Sequence, residues 1–270
     1  MPPVAGSPAS ARRVIAAIPA RFASTRLPGK VLLPLAGRPM VEHVYRRAAA
    51  AAGVDRVVVL TDDERVAAAV RGFGGEVEMT PVDCASGTDR IAGAARQWDV
   101  AAILNVQGDE PLIDPALIAA LAAHLCAHPE DPLVTAAVPA GPGDLEQPAA
   151  VKVVTDVAGR ALYFRRSPIP YPRQEGGAAP RRHIGIYGYQ RETLLALAAL
   201  PPSPLETSES LEQLRALEHG IPIRVLAAAA AAPGVDTIED LERAAALLAA
   251  GGADDPAAGR SAAAPRRPRP

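Results

Sequence analysis

Short apolar runs alternate with longer amphipathic segments along the first half of the chain. Arg13 to Ile18 predicts a strand, Met40 to Ala51 a helix following Pro39, and Val54 to Leu60 a second strand after Gly53. Asp62 or Asp63 is placed to cap a helix through about Arg71, and Glu76 to Met79 reads as a short strand. Thr88 to Gln97 predicts a helix with the Thr88 hydroxyl available as its cap, and Ala101 to Val106 a buried strand. Asp114-Pro115 opens a further helix with an N-cap residue and proline in its first turn, and Leu133 to Val138 is the next strand. Strands separated by helices of this length imply a mostly parallel sheet with right-handed crossovers and helices on both faces.

The pattern then changes. Val151 to Thr155, Ala161 to Phe164 and Ile184 to Tyr189 are strand-like pieces between Gly- and Pro-containing turns, which predicts an antiparallel insertion near residues 150–190. The span 173–182, rich in Arg, Pro and Gly, reads as a mobile boundary. Glu192 to Leu200 returns to helix, and Leu205 to His219 predicts one helix with Leu211, Leu214 and Leu217 on adjoining faces. Ile223 to Leu226 is a strand, and Ile238 to Ala249 a final helix with Asp236 and Thr237 as cap candidates. Residues 1–11 and 251–270 read as disordered tails, since Pro, Gly, Ser and Arg together build no apolar face. A single domain over 12–250 is the expected organisation, and no internal repeat is present.

Composition narrows the function. A chain of 270 residues with 49% hydrophobic content can bury a sizeable core. The formal net charge is −2, and because Gly251 to Pro270 contains four arginines and two aspartates the rest carries −4. A nucleic-acid binder relying on a broad basic face is thereby disfavoured, and positive charge in the body is local. Cys84 and Cys126 form neither a disulfide framework nor a metal set, so a reducing compartment is expected. The first dozen residues lack the apolar core of a signal peptide and no apolar stretch reaches membrane-spanning length, so no membrane role is expected.

The local positive charge falls where a ligand would be received. Arg21 to Lys30 (RFASTRLPGK) follows the first strand, at the edge of an open α/β sheet that usually takes anionic ligands. Arg21, Arg26 and Lys30 supply charge, Ser24 and Thr25 hydroxyls, and Gly29 a close backbone approach, so a polyphosphate is the natural guest. The competing reading is a solvated charged loop. A second segment, Asn105 to Pro111 (NVQGDEP), also follows a strand-like run. A nucleoside triphosphate needs a divalent cation held by carboxylate oxygens, for which Asp109 is the first candidate and Asp236 the second. Only a fold that carries both to one sheet edge lets them share a magnesium ion.

IPARFASTRLPGK (18–30), NVQGDEP (105–111), KVV (152–154), ALYFRR (161–166), HIGIYGY (183–189), SPLE with LEQLR (203–215) and GVDT (234–237) together resemble the 3-deoxy-manno-octulosonate cytidylyltransferase (CMP-Kdo synthetase) family. The resemblance covers nearly the whole body of the chain. It implies a Rossmann-like nucleotidyltransferase fold and a cytoplasmic, magnesium-dependent homodimer that joins CTP to the anomeric hydroxyl of 3-deoxy-D-manno-octulosonate (Kdo) and releases pyrophosphate. It assigns Arg21, Ser24 and Lys30 to the nucleotide loop, with Arg26 in support, and Ser86, Gly87, Thr88 and Gln107 to nucleotide contacts. Arg21, Lys30 and Asp109 take the catalytic roles, and Asp109 and Asp236 hold the metal. The sugar acid falls to Arg166, His183, Tyr187 and Gln213, with Arg166 as a bidentate clamp on its carboxylate. Two positions depart from the family pattern. Cys84 stands where a histidine commonly precedes SGT, and Thr207-Ser208-Glu209 where a His-Ile-Glu-like sequence precedes LEQLR. These departures leave open a related acceptor such as 8-amino-Kdo or another 2-keto-3-deoxy sugar acid. Transfer from UTP is also compatible with these residues, as is a non-catalytic α/β interaction protein that keeps the sheet without turnover.

Overall fold

The computed structural model describes residues 13–23, 27–174 and 176–250. The two predicted tails, Ser24 and Arg26 lie outside the described residues. Among the described residues nine strands form one sheet: β1 (Val14–Pro19), β2 (Arg56–Thr61), β3 (Val77–Met79), β4 (Ala102–Asn105), β5 (Leu133–Pro139), β6 (Lys152–Thr155), β7 (Ala161–Arg165), β8 (Arg181–Gln190) and β9 (Ile223–Ala227). The helices that accompany them are α1 (Met40–Ala50), α2 (Glu64–Gly72), α3 (Gly87–Ala95), α4 (Pro115–Ala127), α5 (Arg191–Ala198), α6 (Pro204–Glu209), α7 (Gln213–Glu218) and α8 (Ile238–Ala250). The order along the sheet is β9-β5-β8-β4-β1-β2-β3, with β6 paired to β8 and β7 to β6. Pairing is parallel from β3 through β2 and β1 to β4 and again between β5 and β9, whereas β8 is antiparallel to both neighbours. This is the mostly parallel sheet with an antiparallel insertion that the apolar pattern predicts, and the Rossmann-like fold that the resemblance implies.

The period of two along β1 explains the layers. Val14, Ala16 and Ile18 face a core shared with Val41 and Val44 of α1, Val66 of α2 and Leu121 of α4. Ile15 and Ala17 face the opposite core, shared with Ile91 of α3, Leu194 of α5 and Leu214 of α7. Buried on both sides, the strand reads as a continuous apolar run with no polar alternation. Asp63 and Asp114 cap α2 and α4 through hydrogen bonds accepted from Arg65 N and Ala116 N.

The structure corrects three local expectations. Ser86, not Thr88, caps α3, and its hydroxyl accepts from Asp89 N at 3.1 Å. Leu205 to His219 is not one helix, because Ser210 adopts a left-handed conformation (φ 51°) that ends α6 before α7 begins. The break turns Leu211 into the core, where it is buried with Leu214. The end of the 173–182 boundary is ordered into sheet, with Arg181 and Arg182 paired to Val153 and Lys152.

Close packing of β8 yields a stability prediction. A Cβ built on Gly188 would lie 2.7 Å from Leu125 Cδ1 and 2.9 Å from both Leu104 Cδ2 and Val134 Cγ1. Gly188→Ala should therefore destabilise the fold by about 1–3 kcal/mol through overpacking, measured as a fall in urea midpoint at unchanged m-value.

Candidate active site

Because β1 and β4 are parallel neighbours, with Ala17 opposite Asn105, the loops that leave them open onto the same edge. A cavity of about 470 Å³ lies there, and its walls include Arg21, Lys30, Ser86, Gln107, Asp109 and Asp236. Gly29, at φ 68°, turns the chain so that Lys30 enters the cavity, and its N–H donates to Phe22 O at 2.9 Å. Any Cβ at this position would also lie 2.9 Å from the Phe22 ring. Gly108 packs against Pro19, where a Cβ would come within 3.0 Å of the carbonyl oxygen. These contacts bring the two ligand loops together at backbone distance.

Lys30 is the centre of the charge arrangement. Its Nζ donates to Asp109 Oδ2 at 2.5 Å, to Asp236 Oδ1 at 2.9 Å and to Val235 O at 3.2 Å. Burial pulls the ammonium down, but the charges and hydrogen bonds of Asp109 and Asp236 outweigh it and hold the group above the ordinary lysine value. Asp236 is brought in by a main-chain bond from Val235 N to Asp109 O of 2.9 Å. Two carboxylates remote in sequence thus converge on one cationic point. Gln107 donates to Asn105 Oδ1 at 3.0 Å and borders the same cavity. So does Arg90, whose buried guanidinium is anchored by Asp62 at 3.0 Å and by Thr80.

A second cavity of about 290 Å³ adjoins the first, and Glu110, Arg182, His183, Tyr187 and Gln213 contribute to its walls. Adjacent residues divide between the two: Asp109 borders the first and Glu110 the second, while Asp236 and Gly234 do the same. The second cavity owes its shape to a bulge in β8. There the register with β5 shifts between Ile184 and Tyr187, and Thr135 Oγ1 donates to Ile186 O at 2.7 Å. His183 Nε2 lies 3.0 Å from the same hydroxyl, as a neutral imidazole donating to Thr135. Burial lowers the His183 pKa to about 3 and pushes the Tyr187 phenol well above its usual value. Burial also raises Glu110 to about 8, with Asp109 adding to the shift and Arg182 opposing it. Gln213 Nε2 is buried with no hydrogen-bond partner among the described residues and stands ready for a ligand oxygen.

Arg166 is directed elsewhere. Its guanidinium donates to Glu209 O at 2.6 Å, Pro148 O at 3.0 Å and Ser210 O at 3.0 Å, and it borders neither cavity. The physical reason is the helix break at Ser210, which leaves carbonyls that need donors. The arginine that faces the second cavity is Arg182, held by Asp144 at 3.1 Å. Sequence reasoning missed it, although it directly precedes His183 on the same strand. Glu212 was missed as well. It lies inside the LEQLR motif and accepts from Ser86 Oγ at 2.9 Å and Thr88 Oγ1 at 2.8 Å.

Comparison with known proteins adds to this geometry. Residues 15–224 match the family model described as cytidylyltransferase. The 3-deoxy-manno-octulosonate cytidylyltransferase of Syntrophotalea carbinolica is 51% identical over 240 residues, covering 85% of this chain and 96% of its own. The enzyme of the same name from Geobacter sulfurreducens is 50% identical over 242 residues, covering 85% and 97%. The chain belongs to the 3-deoxy-manno-octulosonate cytidylyltransferase family. A solved structure of CMP:2-keto-3-deoxy-manno-octonic acid synthetase complexed with CTP superposes with a TM-score of 0.86 at 45% identity, covering 88% of this chain and 99% of that one. Among the described residues no group of three or more His, Cys, Asp or Glu forms a metal cluster, and no helix is long and apolar enough to cross a membrane.

The half-buried imidazole of His183 carries a pH signature. His183 stays neutral in the fold down to about pH 3, whereas in the unfolded chain it takes up a proton near its ordinary value of 6.5. The unfolded state therefore binds more protons between those values, so this contribution to stability is present above pH 6.5 and lost as the pH falls toward 3. His183→Gln should flatten the acid limb of the melting-temperature curve over that window. An identical acid limb in the variant would show that His183 is not held neutral.

Proposed function

We propose that the chain transfers CMP from CTP to the anomeric hydroxyl of Kdo, giving CMP-Kdo and pyrophosphate. The observation that carries the reading is the pairing of two adjoining cavities, one ringed by Arg21, Lys30, Arg90 and two carboxylates, the other by Arg182, Glu110 and the polar side chains of His183, Tyr187 and Gln213. The triphosphate belongs in the first, where Arg21 and Lys30 meet its charge and the N-terminus of α3 presents backbone N–H groups at Ser86 and Gly87. The sugar acid belongs in the second. Arg182 takes its carboxylate, and Gln213, His183 and Tyr187 orient its hydroxyls. The anomeric hydroxyl then gives up its proton to solvent as its oxygen attacks the α-phosphorus, a new oxygen–phosphorus bond forms, and the bond to the β-phosphate oxygen breaks with its electron pair leaving on pyrophosphate. Lys30 and Arg21 stabilise the negative charge that develops on the phosphate oxygens, because donors already in place need no reorganisation.

Magnesium fits the site. Asp109 and Asp236 are hard oxygen donors that already converge on one cation, Lys30 Nζ, and two carboxylates with triphosphate oxygens form a usual magnesium set. When bound, the ion neutralises triphosphate charge and polarises the α-phosphate. The acceptor reading favours Kdo, since Cys84 borders the first cavity and residues 207–209 border neither. The departures from the family pattern therefore do not line the acceptor walls. A homodimer is part of the proposal, with exposed Leu162 supplying apolar surface on the antiparallel insertion, and so is a cytoplasmic setting, where CTP is available.

Pyrophosphate release with CTP, magnesium and an acceptor panel of Kdo, 8-amino-Kdo and sialic acid tests the reading, and Kdo should react fastest. Uniform silence across the panel would refute it. Preference for UTP among the four nucleoside triphosphates would replace the cytidylyl assignment. Asp109→Asn and Asp236→Asn should each lower kcat by at least about 100-fold while circular dichroism is unchanged. Near-parental turnover at limiting magnesium would remove that residue from the ligand set.

A further inference from the structure

One carboxylate behind the walls joins a residue of the first cavity to a neighbour in the second. Glu212 is the N-cap of α7, and its two oxygens accept separately from Ser86 Oγ and Thr88 Oγ1 at 2.9 and 2.8 Å. Ser86 caps α3 and borders the first cavity, whereas Gln213, the next residue after Glu212, borders the second. Tyr189 is buried in β8 beside Thr88 and Asn105, whose polar groups act on its phenol, and Asn105 accepts from Gln107 at the first cavity. Glu212 itself borders neither cavity.

We propose that Glu212 is a positioning residue that couples the two cavities, so that acceptor on Gln213 tightens nucleotide binding beside α3, and nucleotide tightens acceptor in return. The inference rests on the nucleotidyl-transfer reading above. Its physical basis is a shared element: Glu212 ties the cap of α3 to the start of α7, so a ligand that holds either end in place also holds the other. Two hydroxyl donors need two acceptor oxygens, which a carboxylate offers and an amide does not.

The test is calorimetric titration of CTP, with magnesium, in the presence and absence of 2-deoxy-Kdo, a probe lacking the attacking hydroxyl. It is run on wild type, Glu212→Ala, Glu212→Gln and Thr88→Val. In wild type the probe should tighten CTP by about fivefold or more. Glu212→Ala should reduce that factor to below about twofold and lower kcat by at least about tenfold, with KM for CTP measured alone changing less. Glu212→Gln should keep part of the coupling, and Thr88→Val should lose part of it without adding to the loss in the Glu212→Ala, Thr88→Val double variant. Glu212→Gln and Thr88→Val decide the question even where Glu212→Ala fails to fold. Wild-type coupling and kcat in these variants, lowered melting temperature with intact coupling, or no coupling in wild type would each overturn the proposal. A wild-type chain that binds no CTP and turns over no sugar acid would instead overturn the reading on which it rests.

Discussion

The parallel pairing of β1 with β4 is the constraint on which the candidate site depends. Placing Ala17 opposite Asn105 sets the loop carrying Arg21 and Lys30 beside the loop carrying Gln107 and Asp109, and Gly108 lets the second loop pack on Pro19. Distance along the chain then ceases to matter. Asp236 joins through the main-chain bond from Val235 to Asp109, and Lys30 closes the group by donating to both carboxylates. One ammonium between two carboxylates leaves net negative charge at the partly buried sheet edge, which attracts a further cation more strongly there than it would in bulk water. The surrounding arginines prevent the same field from repelling a triphosphate, since Arg21 and Arg90 border the cavity from other elements.

The reversed strand β8 supplies what the parallel strands cannot. Running antiparallel between β4 and β5, it sets Tyr187 opposite Asn105 at the end of β4 and His183 opposite Ala137 of β5, and between them lies its bulge at Gly185 and Ile186, beside the second cavity. The insertion supports this strand. Lys152, fully buried at the start of β6, donates to Gln147 O at 3.0 Å and Asp144 O at 3.3 Å, holding the loop from which Asp144 reaches Arg182. Burial lowers the Lys152 pKa, and the carbonyl partners are what make a lysine tolerable there.

Element type was legible wherever apolar period and cap agreed. β1, β4 and α4 combine continuous apolar runs with clear start signals, and their residues appear within a position or two of expectation. The gathering of Arg21, Lys30, Gln107 and Asp109 around the first cavity was legible for the same reason, because glycine and charge directly follow those strands. The second cavity was less so. Its geometry is set by a left-handed serine and a β-bulge, neither of which leaves a periodic trace. Serine rarely adopts a φ of 51°, so no local propensity announces the split of α6 from α7. Arg182 and Glu212 escaped notice for a related reason: each acts across elements, one from a strand end into a cavity, the other from a helix cap onto a second helix cap.

The position of Arg166 explains how the chain tolerates its departure at 207–209. A side-chain clamp on that segment would tie function to residue identity, but the three guanidinium contacts of Arg166 all go to main-chain oxygens, at Pro148, Glu209 and Ser210. Most side chains in that segment leave those carbonyls in place. The turn between α6 and α7 is thus fixed by backbone, and Glu212 and Gln213 reach their places whether Thr-Ser-Glu or His-Ile-Glu precedes them. Variation in this stretch therefore changes the surface of α6, whose residues are all at least partly exposed, while the wall of the second cavity beyond the turn keeps its form.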